Sequence, residues 1–315
     1  MKEAVGPRPG FAYYLSLVLA AFLMASGFIA GKILLAAQIP AITLIGWRFF
    51  VAAFACLPFV LAAESSLHRT LVPQHFRLRD WSVVALIGFL QTAATMGLIF
   101  LAMRTISAGS AAILLFSNPL WVALIGHFAL RERLSGQRLL GLLCGIAGVA
   151  LALGAAGAGL SHEPLIGLLT GLASAFCWAL ATIVNKRAKL SIDNWALSFW
   201  QMLIGALMLL VLAYLQGERW PEAARGSLSL WAWFIWLAVP ASAGSFGLWF
   251  VALRQGGAAQ SSSYLFLVPL FTIPMAVVVL GSGFSAVQAL GGVLVGVALW
   301  LVNRSGPALP APIVE

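Results

Sequence analysis

Long hydrophobic segments alternate with short polar segments along this chain. Apolar runs are separated by short breaks that contain charges, glycine or proline. A helix needs about 20 apolar residues to cross the hydrocarbon core of a bilayer, so the pattern predicts an all-α integral membrane protein with ten transmembrane helices. The predicted spans, numbered one to ten in chain order, cover residues 11–31, 40–63, 81–103, 107–129, 135–156, 165–185, 194–215, 230–253, 257–280 and 284–303.

The composition agrees with a membrane protein. Of the 315 residues, 62% are hydrophobic and 9% are charged, and the mean hydropathy is +1.01. About a quarter of the residues in a soluble domain are charged. The formal net charge of +9 comes from 18 Lys and Arg residues that are scattered between apolar runs. Because nucleic-acid binding requires a clustered basic face, the expected partner is the lipid bilayer and not nucleic acid.

The positive charges also predict the orientation of the chain. Short cytoplasmic loops carry the excess of Lys and Arg in membrane proteins. With the N-terminus inside, thirteen basic residues fall on the cytoplasmic side, four fall on the opposite side, and Arg48 lies within span two. Both termini are therefore predicted to be cytoplasmic, as tails at residues 1–10 and 305–315.

The sequence contains an internal repeat. Residues 97–141 align without a gap on residues 247–291, a shift of 150 that matches an arginine and a proline as well as apolar positions. Each half holds five spans, and an odd number of spans makes the second copy enter the membrane from the opposite side. We therefore predict two inverted five-helix repeats, at 11–156 and 160–304. Inverted repeats are typical of transporters that alternate between two states around a midplane site.

Pro119 and Pro269 occupy equivalent positions in spans four and nine, twelve residues after the first predicted residue of each span. At about 1.5 Å per residue, both lie near the bilayer midplane. Proline kinks a helix because it removes a backbone hydrogen bond, and it frees the carbonyl four residues upstream, here that of Leu115 or Leu265. One such kink indicates packing alone, whereas a matched pair equally indicates a transport site.

Polar and aromatic side chains at helical spacing in spans three, four, eight and nine predict a substrate cavity lined by hydroxyls, amides and rings. Met24 and Trp178, in spans one and six, are placed at its sides. The predicted substrate-binding residues are Gln91, Thr95, Ser110, Ser117, Asn118, Trp121, Trp178, Ser242, Ser245, Trp249, Gln260, Ser263, Tyr264 and Arg48. In the alternative interpretation, serine and threonine bond to their own backbone and the aromatic rings act as interfacial anchors.

Arg48 lies about eight residues, or ~12 Å, inside the predicted outer end of span two. Its segment LIGWRFF (44–50) matches LSFWQML (197–203), so its counterpart in the second repeat is the neutral Gln201. Two interpretations are open. Arg48 binds backbone carbonyls and locks helices together, or its charge attracts a substrate carboxylate.

Several kinds of chemistry are disfavoured. None of the nine acidic residues lies within a predicted span, which argues against an intramembrane proton relay and against transport of bare cations. The three cysteines have neither disulfide nor metal-site spacing, so we predict no metal and no cofactor. A hydrolase needs a serine beside a histidine base, whereas Ser110 and His127 lie about 25 Å apart on one helix. The chain is not predicted to be an enzyme.

Several segments resemble the drug/metabolite transporter superfamily, in particular its EamA-type members with two five-helix copies. They are WRF in span two, NPLWVALIGHFALRERLSGQRLLGLLCGIAGVAL at 118–151, and FCWALATIVNKRA and FVALRQGGAAQSSSYLFLVPL in the second half. The resemblance covers Phe11 to Arg304. It implies a secondary carrier, usually an exporter of amino acids, related metabolites or drugs in a bacterial inner membrane. Because members with many cargoes share the RF pair, the resemblance favours the structural role for Arg48.

The sequence thus predicts an alternating-access exporter of amino acids or related amphipathic solutes. A drug or organic-cation efflux carrier is the alternative, and a channel or a structural scaffold is a third class. Glu132, which the second copy replaces by Ser282, is predicted to stabilise a loop or gate. GxxxG spacings at Gly27 to Gly31, Gly141 to Gly145 and Gly292 to Gly296 predict close helix packing, within a monomer or across a homodimer.

Overall fold

The computed structural model describes residues 11–63, 70–73, 75–129, 136–157, 163–256, 263–283 and 285–304. The predicted tails, Glu132 and Gln260 lie outside these residues. The α-helices of the described part, in chain order, are α1 Phe11–Ala36, α2 Ala41–Ala55, α3 Leu57–Ala63, α4 Leu78–Gly88, α5 Thr95–Ala102, α6 Ala108–Leu115, α7 Asn118–Ala129, α8 Gly136–Gly157, α9 Leu165–Ala188, α10 Asn194–Leu215, α11 Glu222–Arg225, α12 Leu228–Ala238, α13 Ser245–Gly256, α14 Leu267–Leu280 and α15 Ala286–Arg304.

Seven helical stretches of the described part are long and apolar enough to cross a membrane. They are Phe11–Ala36, Ala41–Leu61, Leu78–Ala102, Ala108–Phe128, Leu165–Ala188, Asn194–Leu215 and Leu228–Trp249. Shorter apolar helices lie in the regions of spans five, nine and ten, at Leu139–Gly148, Leu267–Leu280 and Ala289–Ala298. Large apolar side chains on the outside of the bundle, such as Val278 and Phe128, are 83% and 75% exposed. A helical surface of this kind is stable in lipid, so the chain is a multi-pass membrane protein.

Spans three and eight differ from the plain helices that the apolar pattern predicts. A π-helical segment, Phe89–Ala94 (π1), joins α4 to α5, and a second, Val239–Gly244 (π2), joins α12 to α13. In a π turn the backbone bonds reach five residues back, and such turns occur often at functional sites. The two segments lie 150 positions apart, the same shift as the sequence repeat. Apolar periodicity carries no signal for one inserted residue, so the sequence did not predict them.

Spans four and nine are each interrupted before their matched proline. Helix α6 ends at Leu115 and α7 begins at Asn118, after a turn. In span nine, a 3₁₀ segment at Ser263–Phe266 precedes α14. Pro119 and Pro269 therefore lie in the first turn of a new helix, where the missing N–H has no helical acceptor to lose. The sequence placed a kink at these prolines, and the interruption just before each of them is the feature that the structure adds.

The packing places α1 inside the bundle, against α12, α13 and α14, while α2 runs along α10 and α9 lies on α5, α6 and α7. Helices α8 and α15 pack on each other. Two of their predicted GxxxG glycines, Gly145 and Gly292, approach other helices of the same chain, whereas a Cβ on Gly296 would have no atom within 4 Å. A Cβ on Gly292 would lie 3.0 Å from Cδ1 of Ile113, and one on Gly145 would overlap Leu120. These glycines therefore serve packing within one chain.

Candidate functional site

A small cavity lies between helices of both halves of the chain and has a volume of about 90 Å³. We call it the central cavity. It is lined by Met24, Gly27 and Phe28 of α1, Arg48 and Phe49 of α2, Met96, Ile99 and Phe100 of α5, Leu115 and Phe116 at the end of α6, Trp178 of α9, Ala241 of π2, Ser245, Phe246 and Trp249 of α13, and Leu265.

Aromatic rings form much of the wall of the central cavity. The ring of Phe116 lies 6.3 Å from that of Phe28 and 5.7 Å from that of Trp178, measured between centroids. Aromatic and apolar walls with a few polar groups are typical of small-molecule sites. The polar lining side chains are those of Arg48 and Ser245. The cavity therefore combines an apolar surface with one positive charge.

Arg48 is buried, with 8% of its surface exposed. Its Nε donates a hydrogen bond of 2.9 Å to Oγ of Ser242 in π2. The guanidinium carbon lies 4.7 Å from the ring centroid of Phe49 and 5.3 Å from that of Phe100, close enough for cation–π attraction. Within the described part of the chain, no carboxylate forms a salt bridge with it. A buried guanidinium is thus held by a hydroxyl and two rings.

Small residues make room for this guanidinium. A Cβ on Gly27 would lie 3.3 Å from Cβ of Ala241 and 3.8 Å from Nη2 of Arg48. Helix α1 therefore comes close to π2 at a position without a side chain, beside the end of the arginine. The sequence singled out Gly27 through its GxxxG spacing, and the structure places it against both Ala241 and Arg48.

Most of the predicted hydroxyl ligands bond to their own backbone. Thr95 donates to the carbonyl of Leu90 at 2.6 Å, Ser117 to that of Leu114 at 2.6 Å, and Ser245 to that of Ala241 at 2.9 Å. Ser242 donates to the carbonyl of Leu237 while accepting from Arg48, and Ser110 pairs with Ser107. A hydroxyl that donates in this way has no proton left for a ligand, while its oxygen can still accept a bond. This arrangement is the alternative that the sequence left open.

The other predicted residues are divided between the cavity and its surroundings. Trp178 and Trp249 line it, as does Met24. The ring of Trp121 packs against Phe176 at 5.5 Å, and that of Tyr264 lies 6.2 Å from the ring of Tyr14. Asn118 is buried at the start of α7 and Gln91 is half-buried in π1, and neither lines the cavity. Gln260 and the side chain of Ser263 lie outside the described part.

Sequence reasoning placed Met24 of span one, Arg48 of span two and span three at the cavity, but it missed the apolar residues that spans two and three add to the wall. Phe49, Phe100 and Met96 are ordinary apolar residues in the sequence, and their apolar runs show no face that differs from a lipid-facing one. One signal was present, because Phe100 matches Phe250 under the repeat shift of 150. The arginine itself was the other signal, since its neighbours had to form a site that tolerates a charge.

A larger recess of about 500 Å³ lies beside the turn between α1 and α2. We call it the vestibule; its charged lining residues are Lys32, Arg104 and Glu218. Nζ of Lys32 donates to the carbonyl of Ile106 at 2.7 Å and to that of Met103. Oε2 of Glu218 accepts from the backbone N–H and the hydroxyl of Thr43, at 2.9 and 2.8 Å, in the first turn of α2. These charges hold helix ends, where the helix dipole favours them.

Comparisons with known proteins point to one family. Residues 11–154 and 165–304 match the model of the EamA-like transporter family. A probable amino-acid metabolite efflux pump of Escherichia coli is 26% identical over 272 residues, covering 84% of this chain and 86% of the relative. An uncharacterized transporter of Synechocystis sp. is 27% identical over 314 residues, covering 92% and 89%. One solved crystal structure has a TM-score of 0.63 at 17% identity, covering 92% of this chain and 95% of that chain, which supports the fold alone.

Proposed function

Since the chain belongs to the EamA-like transporter family, we propose that it exports amino acids or related amphipathic solutes by alternating access. The relatives are transporters, so the chain is a transporter and not an enzyme. The amino-acid part of the proposal is supported by the Escherichia coli relative, a probable amino-acid metabolite efflux pump. The confirmed family membership agrees with the resemblance seen in the sequence.

The proposed architecture is ten spans in two inverted five-helix repeats, at 11–156 and 160–304. The two segments that match the family model nearly coincide with these limits. The occurrence of π1 and π2 at the repeat shift of 150 supports the same division. The seven long apolar stretches and the three shorter ones lie in the regions of the ten predicted spans. The proposed unit in the membrane is a monomer or a homodimer of this architecture.

The observation that carries the proposal is the shared lining of the central cavity. Its wall is drawn from α1, α2, α5 and α6 of the first half and from α9, π2 and α13 of the second. Movement of one half against the other would therefore open and close this site, which is the basis of alternating access. At about 90 Å³ the cavity is well below the size of a drug-sized pocket. This conformation suits a small solute, and a larger drug would need a wider opening.

We further propose that the protein lies in the inner membrane with both termini in the cytoplasm. The excess of Lys and Arg on one side supports this orientation. The vestibule would then face outward. The hydrogen bonds of Lys32 and Glu218 would hold helix ends together on that side, and they would have to rearrange when the outer side opens.

The proposal is tested by counterflow in liposomes. Purified protein is reconstituted, the liposomes are loaded with an unlabelled amino acid or metabolite, and uptake of the labelled solute is measured. Ala241→Leu places a larger side chain in the central cavity and should lower counterflow by about tenfold or more. Ala289→Leu is the matched control, because it makes the same change at an exposed position of α15 and should leave counterflow unchanged.

Two results would contradict the proposal. If no solute in a panel of amino acids, nucleosides, sugars and organic cations is exchanged while a known carrier works in the same liposomes, the transport function is wrong. If labelled solute equilibrates without any counterflow, the protein is a channel and alternating access is wrong.

A further inference from the structure

Among the described residues, the central cavity is lined by a positive side chain and by no negative one, and this difference bears on the charge of its solute. Arg48 lines it, and no acidic residue of the described part does so. Those acidic residues lie elsewhere, at Asp80, Glu163, Asp193, Glu218 and Glu222. The cavity therefore has a fixed positive charge near its wall and no negative group of the described residues to receive an ammonium.

The guanidinium still has hydrogen-bonding capacity. It has five N–H donors in a planar fork, and Ser242 takes the one on Nε. Within the described residues, Arg48 donates to Ser242 through Nε, and the four N–H groups of its terminal nitrogens have no protein acceptor there. Nη2 lies beside Gly27, which has no side chain to cover it. A carboxylate matches these terminal groups, because its two oxygens accept a parallel pair of bonds from arginine.

Burial makes this pairing selective. Removing a charge from water without a partner is unfavourable, and an opposite charge with good hydrogen bonds offsets that penalty. A carboxylate would provide this offset for Arg48, whereas an ammonium would lose its own water and also be repelled. The surrounding Phe, Met and Trp side chains suit an uncharged body. Resting on the proposed transport function, and favouring its related amphipathic solutes over amino acids, we propose that Arg48 anchors the carboxylate of a small solute with an apolar, uncharged body in preference to a zwitterion or an amine.

The alternative is that Arg48 only fastens α2 to π2. Its bond to Ser242 and its contacts with Phe49 and Phe100 would then be its whole role. The two roles differ in what they predict for ligands. A fastening residue affects the stability of the protein with every solute alike, whereas a carboxylate anchor affects one chemical class.

The experiment compares four compounds with one carbon skeleton: 4-methylpentanoate, its amide, leucine and 4-methylpentylamine. Their binding to the full-length purified protein is measured by calorimetry in detergent, and their counterflow is measured in liposomes. For the wild type we expect the carboxylate to bind about 10- to 100-fold more tightly than the amide. Leucine should bind more weakly than the carboxylate, and the amine most weakly of the four.

Variants test the residue. Arg48→Gln copies the residue of the other half and should reduce the preference for carboxylate over amide to about twofold or less, while Arg48→Lys should retain part of it. Arg104→Gln is the matched control, because it removes an exposed arginine of the vestibule and should leave the preference unchanged. The order of the four compounds in the wild-type protein remains a test even if Arg48→Gln does not fold.

The outcomes separate this inference from the proposed function. If the wild type exchanges leucine or the amine as well as the carboxylate, or if Arg48→Gln keeps the full carboxylate preference, the anchor role is wrong and the transport function stands. Unchanged carboxylate affinity with a lowered unfolding temperature in Arg48→Gln would identify the fastening role instead. If neither these compounds nor any member of the wider panel is exchanged, both proposals fail.

Discussion

Segments π1 and π2 have the same length and equivalent positions, yet they pack against different surfaces. Each takes part in a bond from a hydroxyl to a carbonyl five residues earlier: Leu90 of π1 accepts from Thr95 of α5, and Ser242 of π2 donates to Leu237 of α12. Segment π1 is pressed against α10, where Gly205 has no side chain to separate the backbones. A Cβ there would lie 2.6 Å from the carbonyl oxygen of Gly88.

Segment π2 faces α2, and the contact is made by a long charged side chain. Arg48 donates to Ser242 beside the central cavity. Its counterpart in the repeat, Gln201, is neutral and lies beside Gly88, at the π1 side. The two π segments have the same length and lie 150 positions apart, while a single residue decides which of their contacts, that of π1 with α10 or that of π2 with α2, carries a charge. Two segments with similar backbones can thus differ in their chemistry.

The largest effect on stability is expected from a larger side chain where α10 packs closely against π1. Gly205→Val adds a branched side chain where even a Cβ would overlap Thr92 and approach Gly88. Overpacking of this kind should lower the free energy of unfolding by about 3 kcal/mol. Thermal unfolding of the purified protein in detergent measures the change. Gly226→Ala serves as the control, since no atom lies within 4 Å of a Cβ at that position; equal midpoints for the two variants would mean that π1 and α10 are not tightly packed.

An intermediate effect on stability is expected at the hydrogen bond between Arg48 of α2 and Ser242 of π2. A double-mutant cycle with Arg48→Gln and Ser242→Ala should give a coupling of about 1–2 kcal/mol, because the bond between them has a charged donor. The cycle is measured by denaturant unfolding. The matching cycle at the contact of π1 with α10, Gln201→Leu with Thr92→Val, should give a smaller coupling. A larger coupling in the second cycle would mean that the stronger polar contact is made by π1 and not by π2, which is the reverse of this comparison.

The smallest effect is expected from the hydroxyl of Thr95 in α5, which donates to a carbonyl of π1. Thr95→Val keeps the shape of the side chain and removes its bond to Leu90, so the free energy of unfolding should fall by about 1 kcal/mol or less. Hydrogen exchange of the π1 amides should become faster. Thr170→Val removes a similar bond, to Ile166, from a regular and less buried helix turn, and should have less effect. Faster exchange in the control alone would rule out a special role for the π1 bond.

Much of the helical order could be predicted from apolar runs alone. Span seven was predicted at 194–215, and α10 occupies Asn194–Leu215. Spans three and eight were predicted at 81–103 and 230–253, and apolar helical stretches lie at Leu78–Ala102 and Leu228–Trp249. Their apolar runs gave no sign of π1 and π2, because an extra residue in a helix turn rotates the following side chains without changing their hydropathy. Regular helical spacing therefore cannot predict which residues share a face across these segments.

The site was harder to predict than the helices. Helical spacing suggested a wall of hydroxyls and amides, whereas the wall of the central cavity is mainly aromatic and aliphatic. Thr95, Ser117 and Ser245 can each satisfy their hydroxyl on a carbonyl of the same helix. Sequence spacing is the same whether a serine bonds to a solute or to its own backbone, so it could not separate the two interpretations.

The sequence by itself determined that this chain resides in a membrane and where its helices lie. In lipid, each backbone N–H and C=O has to be bonded within the chain, so a long apolar run has to be helical. The repeat, and with it the family, was also readable from residue order. Only the tertiary structure decided which polar groups face the central cavity. A hydroxyl can bond within its own helix turn, but the donors of Arg48 need partners from other helices, and those partners are brought together only when the two halves pack.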